Sequence, residues 1–347
     1  MTTVLSSCYL AGQGYHLAAQ QIAARPVDRI PADDLSAGER ELLQRVATIR
    51  TFAETRLGLA AGDGYTTYYR SDRDHLVDVV SAAREFSFVR KEWWFPVVGR
   101  VPYKGFYRPE PARRLARRLD RRGWDVIVRP VEAFSTLGYL RDPLVSYMQS
   151  YSDARLAELI IHEMAHATIW VPGHASFNEE FATYVGRAGA VLYLEDRYGA
   201  DSPEVHSVRD DRADVERFRR DVLALRDELA ALYARRAGAP VETLRREKAD
   251  TIGAFQERFA ARYDDHYRTD RYRFFADTRV NNAYLDLFQT YSGRQERFAA
   301  FSRTAAGGDL RGTVAELQRR VNRWRALPRR RRGDPFDLLG PRLPSGR

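Results

Sequence analysis

The sequence predicts an α+β fold that is mainly helical, with a small mixed sheet, a long helical hairpin and a C-terminal helical region. Three observations carry this. Apolar residues recur at steps of three and four along several long stretches, which is the period of a helix with one buried face. Aromatic and β-branched runs are confined to the segment around residues 85–128, so strands are few. One short Gly238-Ala239-Pro240 turn joins two of the apolar-striped stretches and makes them a hairpin. With 44% hydrophobic and 12% aromatic residues in 347, the chain has material for a packed interior, which excludes whole-chain disorder.

Taken in order, residues 1–14 read as a leader or lipoprotein segment and 15–64 as N-terminal helices. A helix starts at Tyr15-His16-Leu17 and Pro26 breaks it. Ser36 caps the next, with Glu39 three residues on as in a capping box, and Leu42, Leu43, Val46 and Ile49 follow at helical spacing. Gly62-Asp63-Gly64 ends that region. Residues 65–200 read as an α/β core. Within it, Glu85–Val89, Trp93–Gly99 and Trp124–Val128 are expected strands, and a helix runs from Pro111 to Arg122 and stops at Gly123. That helix carries arginine pairs at 113/114, 117/118 and 121/122, and its expected pose rests Leu115 and Leu119 on the sheet with the arginines in water. Residues 201–270 form the hairpin. Val215, Phe218, Val222, Leu225, Leu229 and Leu232 make a heptad seam, answered by Leu244, Ile252, Phe255 and Phe259. The C-terminal helical region takes 271–327, and 328–347 read as a basic, disordered tail.

The net charge of +9 and pI of about 9.7 invite a nucleic-acid partner. The basic residues, however, are spread along the chain and mixed with 47 acids, so most belong to solvated helix faces and no nucleic acid is expected. No apolar run reaches the length of about 20 residues that spans a bilayer. The single cysteine, Cys8, excludes an internal disulfide framework and a cysteine-based zinc cluster. Leu5-Ser6-Ser7-Cys8 has the pattern of a lipobox, which makes Cys8 a candidate lipidation site and lipid anchor to a membrane surface. The expected location is then the bacterial cell envelope if the true start lies upstream of Met1; otherwise Cys8 is an ordinary apolar side chain and the protein is cytoplasmic.

The chemistry is concentrated in His162-Glu163-Met164-Ala165-His166. On a helix, residues four apart stand one above the other, so both imidazoles address one point, and neutral imidazole suits Zn²⁺. Glu163 lies one step round from His162, placed to take a proton from a water at the metal without binding the metal itself. Chance would yield this pattern in about one chain in a hundred of such composition. Leu156, Leu159, Ile160, Ile161, Met164, Ala165 and Ile169 make the helix apolar nearly all round, so it should be central. Histidines and a glutamate buried there without partners would be costly, and a metal removes that cost; a cluster of core histidines satisfied by hydrogen bonds is the structural alternative.

A third ligand is needed. Pro172-Gly173 lets the chain fold back into a second helix, with Ser176 or Asn178 as its N-cap, and a carboxylate in its first turn would complete a His-His-Glu set. Glu179 and Glu180 compete for that role, with His174 a further candidate. Asn178-Glu179-x-Phe181-Ala182 downstream of His162-Glu163-x-x-His166 resembles the gluzincin metallopeptidases, and more narrowly a bacterial aminopeptidase family of that clan, often lipoproteins. The similarity extends to Cys8-Tyr9, Trp94-Phe95-Pro96-Val97-Val98-Gly99, Ser135-Thr136-Leu137-Gly138-Tyr139 and Asn281-Asn282-Ala283. The resemblance implies a zincin-like metallopeptidase core, one Zn²⁺ per chain held by His162, His166 and Glu179, and a peptide as substrate.

On this reading Glu163 is the general base of a zinc-dependent peptidase, expected to be an aminopeptidase. Tyr139, Tyr184, Tyr284 and Tyr291 are candidates to stabilise the oxyanion, of which Tyr139 and Tyr184 are taken forward. Ser135, Thr136 and Gly138 are expected to line the substrate, and Glu180 to meet its α-ammonium. The alternatives are an endopeptidase or a zinc hydrolase acting on another bond, and a non-catalytic envelope protein that retains a metal site.

Overall fold

The computed structural model describes residues 22–75, 77–95, 99–131, 143–290 and 294–340. In chain order its elements begin with β1 (Arg25–Pro26), α1 (Ala37–Thr55), β2 (Thr67–Tyr69) and β3 (Val77–Arg84). Next come β4 (Trp93–Phe95), β5 (Gly99–Val101), β6 (Tyr103–Phe106), α2 (Pro109–Asp120), β7 (Trp124–Val131) and β8 (Leu144–Val145). The long helices follow: α3 (Asp153–Thr168), α4 (Ala175–Tyr198), α5 (Pro203–Arg235) and α6 (Val241–Ala261). Short α7 (Tyr263–His266) and α8 (Asn282–Asp286) lead to α9 (Arg294–Ala306) and α10 (Leu310–Ala326). The protein is mainly helical α+β, as expected. No helix among the described residues is long and apolar enough to cross a membrane.

The described residues divide into two compact units. One is drawn from 18–73, 135–206 and 292–347 and holds α1, α3, α4, α9, α10 and a three-stranded sheet of order β1-β2-β8, with β2 and β8 parallel. Ser36 does cap α1 through the reciprocal Ser36–Glu39 box. Glu39 is nevertheless buried, because its carboxylate also accepts hydrogen bonds from Tyr68 and Arg70. These donors, Arg70 foremost, pull its pKa from 4.5 to about 2.

The other unit is drawn from 74–134 and 207–291. Its antiparallel sheet has the order β6-β3-β7, and β4 pairs with β5 as a separate ribbon. Helix α2 rests Ala112, Leu115 and Leu119 on Val80 and Ala82, so its sequence-derived pose is correct. The heptad seam is also present: Phe218, Val222, Leu225, Leu229 and Leu232 of α5 share one buried cluster with Ile252, Phe255 and Phe259 of α6. Strands β3 to β7 therefore group with the hairpin, not with the helix bearing the two motif histidines, a division that differs from a continuous 65–200 core. The reason is a polar node. Lys248 Nζ pairs with Asp125 at 2.5 Å, Asn282 N–H donates to Asp125 at 2.7 Å, and Asn281 Nδ2 donates to the Val126 carbonyl at 3.0 Å.

Two expectations need correction. Residues 85–89 turn instead of forming a strand, because Asn282 Nδ2 takes the carbonyls of Arg84, Glu85 and Ser87 and draws the chain into a loop; the strand is the unforeseen β3. Over its described residues, 328–340, the tail is folded. Two short 3₁₀ turns form there, Phe336 is buried, and its ring meets Phe177 at 5.3 Å and Phe298 at 6.2 Å. Its arginines did signal solvent, but Phe336 and Leu339 behind them carry enough apolar surface to dock.

Candidate metal centre

Ser152 caps α3, accepting from Arg155 N–H, and Leu156, Ala157, Ile160, Ile161, Met164 and Ala165 are buried along it. The apolar wrap thus fixes the helix and leaves His162 and His166 on the partly open side, 22% and 13% exposed. The chain turns at Gly173, whose φ of 81° suits glycine, and starts α4 at Ala175 with His174 as N-cap. Neither Ser176 nor Asn178 caps it. Asn178 is buried one turn into the helix, where its amide accepts from Val171 N–H at 2.8 Å and donates to Val171 C=O at 3.0 Å. This two-point clamp pins the turn and thereby sets where the next residue, Glu179, projects.

Glu179 meets both imidazoles. Its carboxylate oxygens lie 3.6 Å from His162 Nε2 and 3.4 Å from His166 Nε2, and the two nitrogens are 3.1 Å apart. A tetrahedral ion with bonds of about 2.0–2.1 Å requires ligand–ligand edges of about 3.3 Å. The 3.1 Å separation of the two nitrogens is close to that edge, and one ligand atom from each of the three residues lies within 4.8 Å of the other two. Two imidazoles and a carboxylate gathered at one partly open point are a donor set that fits a divalent metal. Among the described residues this is the one group of three or more such ligands close enough to share an ion. The hydrogen bonds from His162 and His166 hold the Glu179 carboxyl at about 2, so it is a carboxylate, the ligand form, at neutral pH. Its 40% exposure keeps the cluster open to solvent and hence to a small substrate.

Two features of the site lay outside the sequence reading. The first is Gly186 on α4: a Cβ there would stand 2.8 Å from the Glu158 carbonyl and 3.1 Å from His162 Cβ. Gly189, one turn on, faces Ile161 and Leu57 at 2.9 Å in the same way. These glycines let the two helices approach closely enough for Glu179 to reach both rings. Their three-residue spacing on a predicted helix was the available signal. The second is the loop 61–64, read only as a helix stop. Arg50 gathers its carbonyls at Ala61, Gly62 and Gly64, and Gly62 and Gly64 pass beside Ala167 and Glu163.

Other candidates are placed elsewhere. Glu180 is turned away and accepts from Gln295 Nε2 of α9 at 2.6 Å. His174 stands edge-on to Trp324 at 5.7 Å, outside the cluster. Tyr184 stacks on Phe298, and Tyr284 belongs to the aromatic packing of the other unit with Phe275 and Phe288. Cys8, Ser135, Thr136, Gly138, Tyr139 and Tyr291 lie outside the described residues. The Asn281-Asn282 pair proves to be a structural node of the strand-bearing unit.

A family model described as "Putative aminopeptidase" matches residues 9–335. No curated protein and no solved structure matches the chain.

Proposed function

The chain belongs to this aminopeptidase family, and from that premise we propose that it is a zinc-dependent gluzincin peptidase acting as an aminopeptidase. One observation carries the reading: two imidazole nitrogens 3.1 Å apart, with a Glu179 carboxylate oxygen 3.6 Å from one and the other oxygen 3.4 Å from its neighbour, so that one ligand atom from each residue lies within 4.8 Å of the other two.

His162, His166 and Glu179 would hold the ion, two as neutral imidazoles and one as carboxylate. When bound, Zn²⁺ supplies Lewis-acid polarisation of a carbonyl and lowers the pKa of water from 15.7 to about 7. The chain's own residues supply positioning and proton transfer. Glu163 follows His162 directly on a helix fixed by buried side chains, so its carboxylate stays beside the ligands without being one. It takes the proton of the attacking water and delivers it to the leaving amine. Loop 61–64, fastened by Arg50, passes on the Glu163 side and restricts the space into which that carboxylate can swing.

The test pairs substrate with variant. Wild-type protein with zinc should hydrolyse aminoacyl chromogenic substrates and free-amine peptides and leave N-blocked peptides intact. Glu163→Gln should lower kcat by about 10²–10⁴ while zinc content is unchanged. Cleavage of N-blocked peptides instead would make it an endopeptidase. Full activity of Glu163→Gln would remove the base assignment, and inactivity of the zinc-loaded wild type on every peptide would leave a metal site without this chemistry.

A further inference from the structure

Helix α2 differs from the rest of its unit in how its charges are met. Several arginines elsewhere in the unit are matched by acids, Arg217 by Asp214, Arg236 by Glu247, Arg245 by Glu85, Arg258 by Glu228 and Arg273 by Asp264 and Asp270, while the unmatched Arg220, Arg235 and Arg246 do not form a continuous run. On α2 and the turn that ends it, Arg113, Arg114, Arg117, Arg118, Arg121 and Arg122 are all exposed, and none pairs with an acid among the described residues. They stand four apart in two adjacent rows, so they form one continuous band on the side opposite Ala112, Leu115 and Leu119. Segment 104–122 holds eight basic side chains against Glu110 and Asp120, in a chain whose net charge is only +9. The helix dipole accounts for cations near its C-terminus but not for Arg113 and Arg114, which lie beyond its first turn. Arg118 also acts on the sheet beneath: after burial, its charge is what pushes the Lys104 ammonium down. The field is therefore uncompensated.

The same unit carries the β4–β5 ribbon. Trp93 packs on the Leu115–Leu119 cluster, while its neighbour Trp94 is 63% exposed and pairs across the ribbon with exposed Arg100. An exposed indole and a band of guanidinium groups in one unit are the composition of a surface that meets lipid headgroups, where the ring sits at the interface and the cations take phosphates.

We propose that the α2 arginine band, helped by exposed Trp94 of the same unit, seats this unit on the surface of a bilayer containing anionic phospholipids. Guanidinium forks bind phosphodiesters in two-point fashion, and a fluid headgroup layer adapts to whatever spacing the arginines have. A nucleic acid fits less well. Its phosphates stand in fixed rows, and proteins that hold single strands without sequence preference use a charged groove set with stacking aromatic rings, whereas this band is the exposed face of a sheet-backed helix with no aromatic residue in it. The proposal is independent of the peptidase reading, since no metal ligand lies in this unit.

The experiment is vesicle co-sedimentation of the full chain, carrying Cys8→Ser throughout so that no acyl chain contributes. Phosphatidylcholine vesicles with and without phosphatidylglycerol are compared. Binding is expected only to the anionic vesicles and should weaken as salt rises. Arg114→Gln/Arg118→Gln/Arg122→Gln should weaken it by roughly a hundredfold, and Trp94→Ala by less. The control Arg258→Gln/Arg319→Gln removes equally exposed but paired arginines and should change binding by less than about threefold. Circular dichroism confirms that each variant is folded. Equal binding to neutral vesicles, or an equal loss in the control, would overturn the proposal. So would duplex DNA that displaces the protein from anionic vesicles at the same salt, which would assign the band to nucleic acid.

Discussion

Helices α5 and α6 meet through bulk: Phe218, Leu225 and Leu229 against Phe255 and Phe259, with ring centroids such as Phe218–Phe259 at 6.2 Å. Helices α3 and α4 meet through absence. Where α4 crosses His162 it has Gly186, and where it crosses Ile161 it has Gly189. The hairpin contributes stability in proportion to the apolar area it removes from water. The ligand-bearing pair forgoes that area, and accepts about 1 kcal/mol of lost helix propensity per glycine, to bring a carboxylate within 3.6 Å of two imidazoles. One interface is built to be stable and the other to place three atoms. The two should therefore fail in opposite ways, the hairpin when side-chain atoms are removed and the site when one is added.

The largest effect on stability is expected in the hairpin. Phe259 is fully buried and touches Phe218, Tyr263 and Phe275. Phe259→Ala should cost about 3–5 kcal/mol in chemical denaturation. It removes no ligand atom, so folded protein should still bind zinc. A cost below about 1 kcal/mol would mean that the aromatic packing is not what holds this unit.

Gly186→Ala should do the reverse. By helix propensity alone it would stabilise α4, but its methyl would meet the backbone carbonyl of Glu158 at 2.8 Å, which cannot rotate away as a side-chain tip could. The helices must separate, and zinc affinity measured by competition with a chromogenic chelator should fall by about tenfold or more. Unchanged affinity would show that the close approach is not required for the ligand geometry.

The smallest effect concerns pH and lies at Glu39. Its pKa is about 2 in the folded protein against an ordinary 4.5, so the native state binds fewer protons between these values. The stability it contributes is complete above 4.5 and is lost as pH falls toward 2. Glu39→Gln should flatten the fall in melting temperature over that window, and an unaltered acid profile would remove Glu39 from the explanation.

The contrast between the helix pairs also explains what could be read from the chain. The hairpin was legible because its determinants are periodic: six apolar residues at steps of three and four can have few other meanings. His162, Glu163 and His166 were legible because the ligands of one helix are close in sequence. Glu179 was found among three candidates, and the choice needed the Asn-Glu resemblance, since local pattern does not say which side of α4 faces α3. Asn178 was misread as a cap because a cap and a clamp use the same amide; the difference is only whether it reaches forward into its own helix or back to Val171. Gly186, Gly189 and the loop held by Arg50 act by leaving room, which no single residue announces. β3 and the 85–89 turn were exchanged because Asn282, almost 200 residues downstream, decides where the strand stops.

The account rests on which atoms hold the ion, and equilibrium dialysis against zinc with metal analysis tests that most directly. Wild-type protein should retain one zinc per chain, Glu179→Ala should lose it by at least about tenfold in affinity, and Glu180→Ala should retain it, since that carboxylate is turned to Gln295. Retention by Glu179→Ala together with loss in Glu180→Ala, or no zinc in the wild type, would contradict the assignment of the centre.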